Sequence, residues 1–306
     1  MLSDAHRHQF QTEGYLVVED VLDTTILDPV RAEYEALLDR LCTGWGITGD
    51  SFEDKLIKAY AAGHDWFQPM DISLPGDRIT EDTPMHFGPA VFNMVTAPRL
   101  LDLVEDLIGS EITSNPIQHV RIKPPEATLD KDEIRAHVGG TDWHQDRAVA
   151  LEEADNTQMI TVWLAVTDAT VENGCLQVIG NETDLLPHCP QKQTAIAPGL
   201  IDPTKAKPLP VKAGGAVIFH PMTPHASLPN RSNGIRWSFD LRFNVTGQPT
   251  GRAHFPEFIA RSRAHPDSAL KDWRAWKAMW ETARTRLAKA PHIDIHRWSA
   301  DAPVCA

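Results

Sequence analysis

His144 and Asp146 stand two positions apart in Trp143-His144-Gln145-Asp146-Arg147. In an extended strand residues i and i+2 point to one face, so a ring nitrogen and a carboxylate oxygen can reach the same ion. Two ligands do not make a site. A third candidate, His225, closes the run His220-Pro221-Met222-Thr223-Pro224-His225, which follows the apolar stretch Ala216-Val217-Ile218-Phe219. Two histidines and one carboxylate occupy one face of an octahedron and leave the opposite face for other ligands, the donor set of non-haem Fe(II) centres that activate O2. His220, five positions before His225, is the alternative third ligand.

Arg236 lies eleven positions after His225, on another predicted strand. A strand, turn and return strand can bring the two side by side in one cavity. An Fe(II) oxygenase needs electrons beyond those of its substrate, and 2-oxoglutarate supplies them by oxidative decarboxylation. The far carboxylate of that co-substrate needs an anchor, and a guanidinium fork grips a carboxylate bidentately. Arg236 is the candidate; its other reading is an ion-pair partner of Asp240 on the same strand face. The chain has 14 histidines, but the remaining spaced pairs, His6-x-His8 and His292-x-x-x-His296, read as surface residues.

The elements that must position these groups are mostly short strands. Ser3 is placed to cap a helix through about Thr12, Glu13-Gly14 breaks it, and Tyr15-Leu16-Val17-Val18 has strand composition. Apolar residues at helical spacing predict a helix over Ile26 to Leu41, and another over Pro98 to Ile108 ended by Gly109. Between them, Gly44 to Pro89 is rich in breakers and predicts an irregular segment with short helices, a lid or a surface excursion. Ile117 to Lys123 alternates as a strand, with His119, Arg121 and Lys123 on one face and Gln118, Val120 and Ile122 on the other. Met159 to Val166 is a strand with Thr161 and Trp163 on one face. Asn173-Gly174 supplies the tight turn before the strand Leu176-Gln177-Val178-Ile179.

Arg236 to Phe243 is the most regular alternation in the chain. Trp237, Phe239, Leu241 and Phe243 share one side, and Arg236, Ser238, Asp240 and Arg242 the other. In a jelly roll with a polar cavity the charged side lines the interior, which its place after His225 favours. Strands joined by turns predict a mainly β fold with flanking helices, a double-stranded β-helix of the jelly-roll, cupin-like kind. The core spans about 115–250 of a single domain over 1–306, with helical extensions at both ends. The last of these, Ala269 to Ala288, carries Leu270, Trp273, Trp276, Trp280, Ala283 and Leu287 on one stripe, for packing against the barrel or a second subunit.

Composition narrows the partners. A formal charge of −13 and a pI near 5.5 argue against nucleic acid and anionic membranes, both of which want a positive field. A small molecule is the expected partner. Cys42, Cys175, Cys189 and Cys305 are scattered without a CxxC pair, so neither a zinc knuckle nor a disulfide framework is expected. With no export signal and no spanning apolar run, the expectation is a soluble, cytoplasmic protein of open oligomeric state.

These residues resemble the phytanoyl-CoA dioxygenase family of Fe(II)- and 2-oxoglutarate-dependent oxygenases. The resemblance is carried by Lys123-Pro124-Pro125, Trp143-His144-Gln145-Asp146, Asn173-Gly174-Cys175-Leu176, Phe219-His220-Pro221, and His225-Ala226-Ser227 with Asn230 and Arg236. It implies that His144, Asp146 and His225 hold Fe(II), and that Arg236 and Ser227 hold 2-oxoglutarate beside a pocket wall at Trp163. It also implies O2-dependent oxidation of a C–H bond of a small molecule, by hydroxylation or otherwise, with release of succinate and CO2. Two positions depart from the family pattern: Gly180-Asn181-Glu182 stands where Gly-Ser-His is common, and Ala226 where Gly is common. Asp146 sets the chain apart from the halogenating relatives, which lack that carboxylate. Gln118, Arg147, Asp240 and Arg242 are candidate substrate contacts, Gln118 being otherwise a core amide and Arg147 a surface charge. The rival readings are a cupin-like metal- or sugar-binding jelly roll without 2-oxoglutarate chemistry, and a peptide hydroxylase.

Overall fold

The computed structural model describes residues 2–305 other than 77, 134, 137, 181, 191 and 192. Ser3 caps helix α1 (Asp4–Glu13) by accepting from the His6 N–H, and Gly14, at φ 78°, ends it. Strand β1 (Tyr15–Val18) follows. Helix α2 (Thr24–Trp45) buries Leu27, Val30, Tyr34, Leu38 and Cys42, a three-to-four spacing that puts all five on one stripe. The breaker-rich segment contributes short helices α3 (Phe52–Ala61) and α4 (Phe67–Met70), before α5 (Pro89–Val95) and α6 (Pro98–Ile108).

The sheets come next in the chain. After β2 (Glu111–Lys123) and β3 (Thr141–His144), a single helical turn α7 (Asp146–Val149) leads into β4 (Met159–Ala165). Strands β5 (Leu176–Val178), β6 (His188–Pro190), β7 (Thr194–Ile196) and β8 (Lys207–Leu209) are short. They are followed by β9 (Ala216–Phe219), β10 (His225–Ser227), β11 (Arg236–Val245), β12 (Phe258–Ser262) and helix α8 (Trp273–Leu287). The larger sheet runs β1-β9-β4-β11-β2-β12, the smaller β3-β10-β5-β8, and β6 pairs with β7 alone.

Side-chain parity along the strands decides the layers. Val162 and Leu164 of β4, with Trp237, Phe239, Leu241 and Phe243 of β11, join the helices in one apolar cluster. Trp163 and Ala165 turn the other way and pack with Leu176, Val178 and Leu209 of the smaller sheet. Helices therefore cover one face of the larger sheet and the smaller sheet closes over the other, which is the expected jelly roll. The charged side of β11 faces the space between the sheets, where Arg236 and Asp240 line a cavity. Helix α8 starts at Trp273 rather than Ala269 because Asp272 caps it, accepting from the Arg274 N–H. Its Trp276 and Trp280 pack on Phe87, with ring centroids at 4.5 and 5.2 Å.

Two expectations are corrected. Strand β2 is longer than the predicted 117–123 and is interrupted opposite β11: Asp240 pairs with His119, but Arg242 pairs with Asn115. Pro116 sits in the gap; it has no N–H for the ladder, and a bulge is where a sheet tolerates that. The cysteines are not all free thiols. Cys189 and Cys305 form a disulfide across 116 residues, leaving Cys42 and Cys175 as buried thiols. The tail beyond α8 folds back onto β6, a long-range approach that cysteine spacing does not encode. Among the described residues, no helix is long and apolar enough to cross a membrane.

Candidate active site

His144 ends β3, and His225 opens its antiparallel neighbour β10, with the two Cα positions in direct register. Cross-strand pairing thus sets the two imidazoles face to face, with ring centroids 4.1 Å apart. Asp146 is not on the strand. It begins the α7 turn, but the intervening Gln145 is extended, at φ −116° and ψ 135°, so the carboxylate still returns to the side of His144. Asp146 Oδ1 is 3.8 Å from His144 Nε2 and 3.9 Å from His225 Nε2. One ligand atom from each of the three residues lies within 4.8 Å of the others. Among the described residues this is the one His, Cys and carboxylate cluster of that kind, and it contains His225 rather than His220. His220 is exposed, and its Nδ1 accepts from the Met222 N–H.

Each imidazole is fixed by its other nitrogen. Nδ1–H of His144 donates to the Asp142 carbonyl at 2.9 Å, and Nδ1–H of His225 to the Thr223 carbonyl at 3.0 Å. Both rings therefore present an unprotonated Nε2 to the same point. Burial, then the facing His225 ring, pushes the His144 pKa down to about 3, more than Asp146 raises it. Burial likewise lowers His225. For Asp146 burial acts upward, but the Arg242 guanidinium, the two imidazoles and the Thr161 hydroxyl together hold it far below the usual carboxylate range. At neutral pH the set is two neutral imidazoles and one carboxylate, the protonation state a divalent metal requires. These donors fit iron.

Gln145 points away from the ligand face. Its amide nitrogen donates to the carbonyls of Asp184 and Met222 at 2.8 and 2.7 Å, and its oxygen accepts from the Leu186 N–H at 2.8 Å. It therefore ties the His144–Asp146 segment to the turn that carries His225. Asn181, in the turn that departs from the family pattern, lies outside the described residues.

The cavity continues from the triad toward Arg236, passing Trp163, Phe219, Ala226 and Ser227. The Arg236 guanidinium lies 5.0 Å over the Trp163 ring. Its Nε donates to the Gly174 carbonyl at 3.2 Å and its Nη1 to Ser238 Oγ at 2.7 Å; Nη2 has no hydrogen-bond partner among the described residues. Burial brings its pKa down to about 10. Asp240 is not its hydrogen-bonded partner. That carboxylate accepts from Arg121 Nε at 2.7 Å, leaving Oδ1 buried without a partner among the described residues.

The other candidates are placed differently from one another. Arg242 is buried and donates to Asp146 Oδ1 and, at 3.0 Å, to the Ile117 carbonyl. Arg147 lies neither at a rim nor on the surface: the α7 turn sends its guanidinium inward to the carbonyls of Ala154 and Thr157. Gln118 is a buried amide that donates to the Ile72 carbonyl at 2.9 Å. Three residues went unassigned from sequence and sit at the site. Thr161 donates its hydroxyl to Asp146 Oδ2, Arg121 holds Asp240, and Lys123 lies behind Ser227. Strand alternation already put Thr161 on the face of Trp163, and Arg121 with Lys123, but nothing local says which faces meet.

The chain is similar to known proteins in sequence and in fold. The chain is 25% identical over 262 residues to a probable phytanoyl-CoA dioxygenase of Caenorhabditis elegans, covering 79% of this chain and 75% of that protein. Among solved structures it is similar to the apo form of the non-heme monooxygenase ThoJ, with a TM-score of 0.62, 21% identity, and coverage of 92% of this chain and 95% of that one. It is also similar to the epimerase SnoN in complex with Fe3+, alpha ketoglutarate and nogalamycin RO, with a TM-score of 0.53, 21% identity, and coverage of 82% and 87%. The family model for phytanoyl-CoA dioxygenase (PhyH) matches residues 10–238. On that match, and with the His144, Asp146 and His225 cluster it encloses, the chain belongs to the phytanoyl-CoA dioxygenase family.

Proposed function

We propose that this member of the iron- and 2-oxoglutarate-dependent oxygenases oxidises a C–H bond of a small polar molecule, by hydroxylation or a related outcome, with release of succinate and CO2. The observation that carries the reading is a single cavity with a two-histidine, one-carboxylate cluster at one end and a buried guanidinium beside a hydroxyl at the other. His144, Asp146 and His225 would hold the iron, which with O2 and 2-oxoglutarate supplies the oxidising power.

The remaining work belongs to the chain's own side chains. Arg236 Nη2 and the Ser227 hydroxyl offer donors to the far carboxylate of 2-oxoglutarate, and the Trp163 ring walls that end. Phe219 lies against His225, with ring centroids at 4.2 Å, and excludes water from that flank. Thr161 and Arg242 orient Asp146. Asp240 Oδ1, with Arg121 fixing its other oxygen, is an acceptor for a hydroxyl or amine of the substrate. An acidic protein with a cavity of this polarity suits a small molecule rather than a nucleic acid or a membrane surface.

The test is 2-oxoglutarate turnover by Fe(II)-loaded protein, read as succinate. Wild type is expected to form succinate, and Asp146→Ala to form none above background. Full succinate formation by the variant, or none by wild type, removes the assignment.

A further inference from the structure

Lys123, the last residue of β2, is buried to 1% exposure in the wall behind Ser227. Its Nζ donates to Ser227 Oγ and, at 3.2 Å, to Thr141 Oγ1. The Thr141 N–H donates to the same Ser227 oxygen at 2.9 Å. Both lone pairs of that hydroxyl are then occupied by N–H donors, so its own hydrogen is left only to donate. Thr141, Ala226, Ser227 and Arg236 line the cavity, and that is where an acceptor for this hydrogen has room. Thr141 and Ser227 are brought together by β3 and β10, and Lys123 and Arg236 by the register of β2 with β11.

Charge points the same way. Neither Lys123 nor Arg236 hydrogen-bonds to a carboxylate among the described residues, although both are about 1% exposed. Burial pushes the Lys123 pKa well down, Arg236 and Arg121 add to this by repulsion, and Asp240 and Asp142 oppose it only from a distance. Two adjacent buried basic groups without a counter-charge are costly to hold as cations, and an anion that joins them favours their charged forms. A hydroxyl turned into a donor beside them selects the same kind of ligand.

We propose that Lys123 is a positioning residue for the far carboxylate of 2-oxoglutarate: by donating to Ser227 Oγ it leaves that hydroxyl to donate into the cavity, and it sets a second buried basic group beside Arg236. The proposal rests on the reading that Arg236 and Ser227 receive that carboxylate. It assigns selectivity for a dicarboxylic 2-oxoacid to a lysine that does not itself touch the ligand.

Calorimetry on Ni(II)-loaded protein tests it, with 2-oxoglutarate and with 2-oxopentanoate, which keeps the chelating end but carries a methyl in place of the far carboxylate. Wild type is expected to favour 2-oxoglutarate. Lys123→Met is expected to weaken 2-oxoglutarate roughly tenfold or more, the scale of a lost charge-assisted contact, and to leave 2-oxopentanoate unchanged. Adding Ser227→Ala to Lys123→Met should cost less than Ser227→Ala costs alone, because the two act as one unit. Lys123→Gln serves if the Met variant does not fold. Equal weakening of both ligands, or no change in either, overturns the role of Lys123 while leaving Arg236 as the anchor. A wild type that binds both 2-oxoacids equally overturns the underlying reading, and the proposal with it.

Discussion

The pair formed by Arg242 and Asp146 invites the sharpest perturbation. Both side chains are at most 4% exposed, and the guanidinium is the largest influence that offsets burial of the carboxylate. Arg242→Met keeps the bulk of the arginine stem but leaves Asp146 with the Thr161 hydroxyl and two neutral rings. Removing one member of a buried pair costs about 3–5 kcal/mol, because the survivor is left desolvated and unpaired. The sign of the pH dependence follows from where the carboxylate titrates. In wild type its folded pKa is depressed, so its contribution is present above the unfolded value near 3.9 and is lost only as pH falls through the lower folded value. In the variant, burial loses its main counterweight and the folded pKa rises. The penalty then grows as pH rises from the unfolded value near 3.9 to that new folded value, and is complete above it. Urea unfolding in EDTA should show the variant less stable by about 3–5 kcal/mol at pH 7.5, and by at least about 1 kcal/mol less than that at pH 4.5, where protonation relieves the carboxylate. Saturating Ni(II) supplies positive charge at the same oxygen and should narrow the gap at pH 7.5. A loss under about 1 kcal/mol, or one equal at both pH values, would refute the view that a desolvated carboxylate depends on this guanidinium.

Two further outcomes follow from the same structure. His144 is held neutral with a pKa near 3, against about 6.5 when unfolded, so stability present above pH 6.5 should fall as pH drops toward 3. The slope is about 1.4 kcal/mol per pH unit for each imidazole held neutral, and metal-free His144→Gln should unfold with a shallower acid dependence than wild type between pH 7 and 5. For the disulfide, thiol titration of the denatured, unreduced protein should find Cys42 and Cys175 alone. Reduction or Cys305→Ser should lower stability by up to about 4–5 kcal/mol, the loop-entropy scale of so long a closure, and expose the tail to protease; four titratable thiols would contradict the linkage.

How much of this was legible in the chain depends on the range of the interaction. His144 and Asp146 could be read because same-side return over two residues is local backbone geometry, and Arg236 because strand alternation places it on the charged side of β11. The same alternation put Lys123 and Arg121 on one face and Thr161 with Trp163 on another. It could not say that Lys123 meets Ser227, that Arg121 rather than Arg236 takes Asp240, or that Arg242 reaches Asp146.

Those choices belong to register between strands far apart in sequence, and register is set jointly by both partners. The interruption at Pro116 moves Arg242 from its regular counterpart to Asn115, a shift visible only once β2 and β11 are paired. Arg147 shows the same limit: the sequence offers it as a substrate contact or a surface charge, yet the α7 turn buries it against carbonyls. The link from Cys189 to Cys305 needed the tail to fold back over the smaller strands. Residue types and short spacings by themselves determined which chemistry the chain is built for, because metal ligands and strand faces are short-range patterns. The tertiary structure decided which charge neutralises which, because a buried charge is stable only beside the partner that folding brings to it.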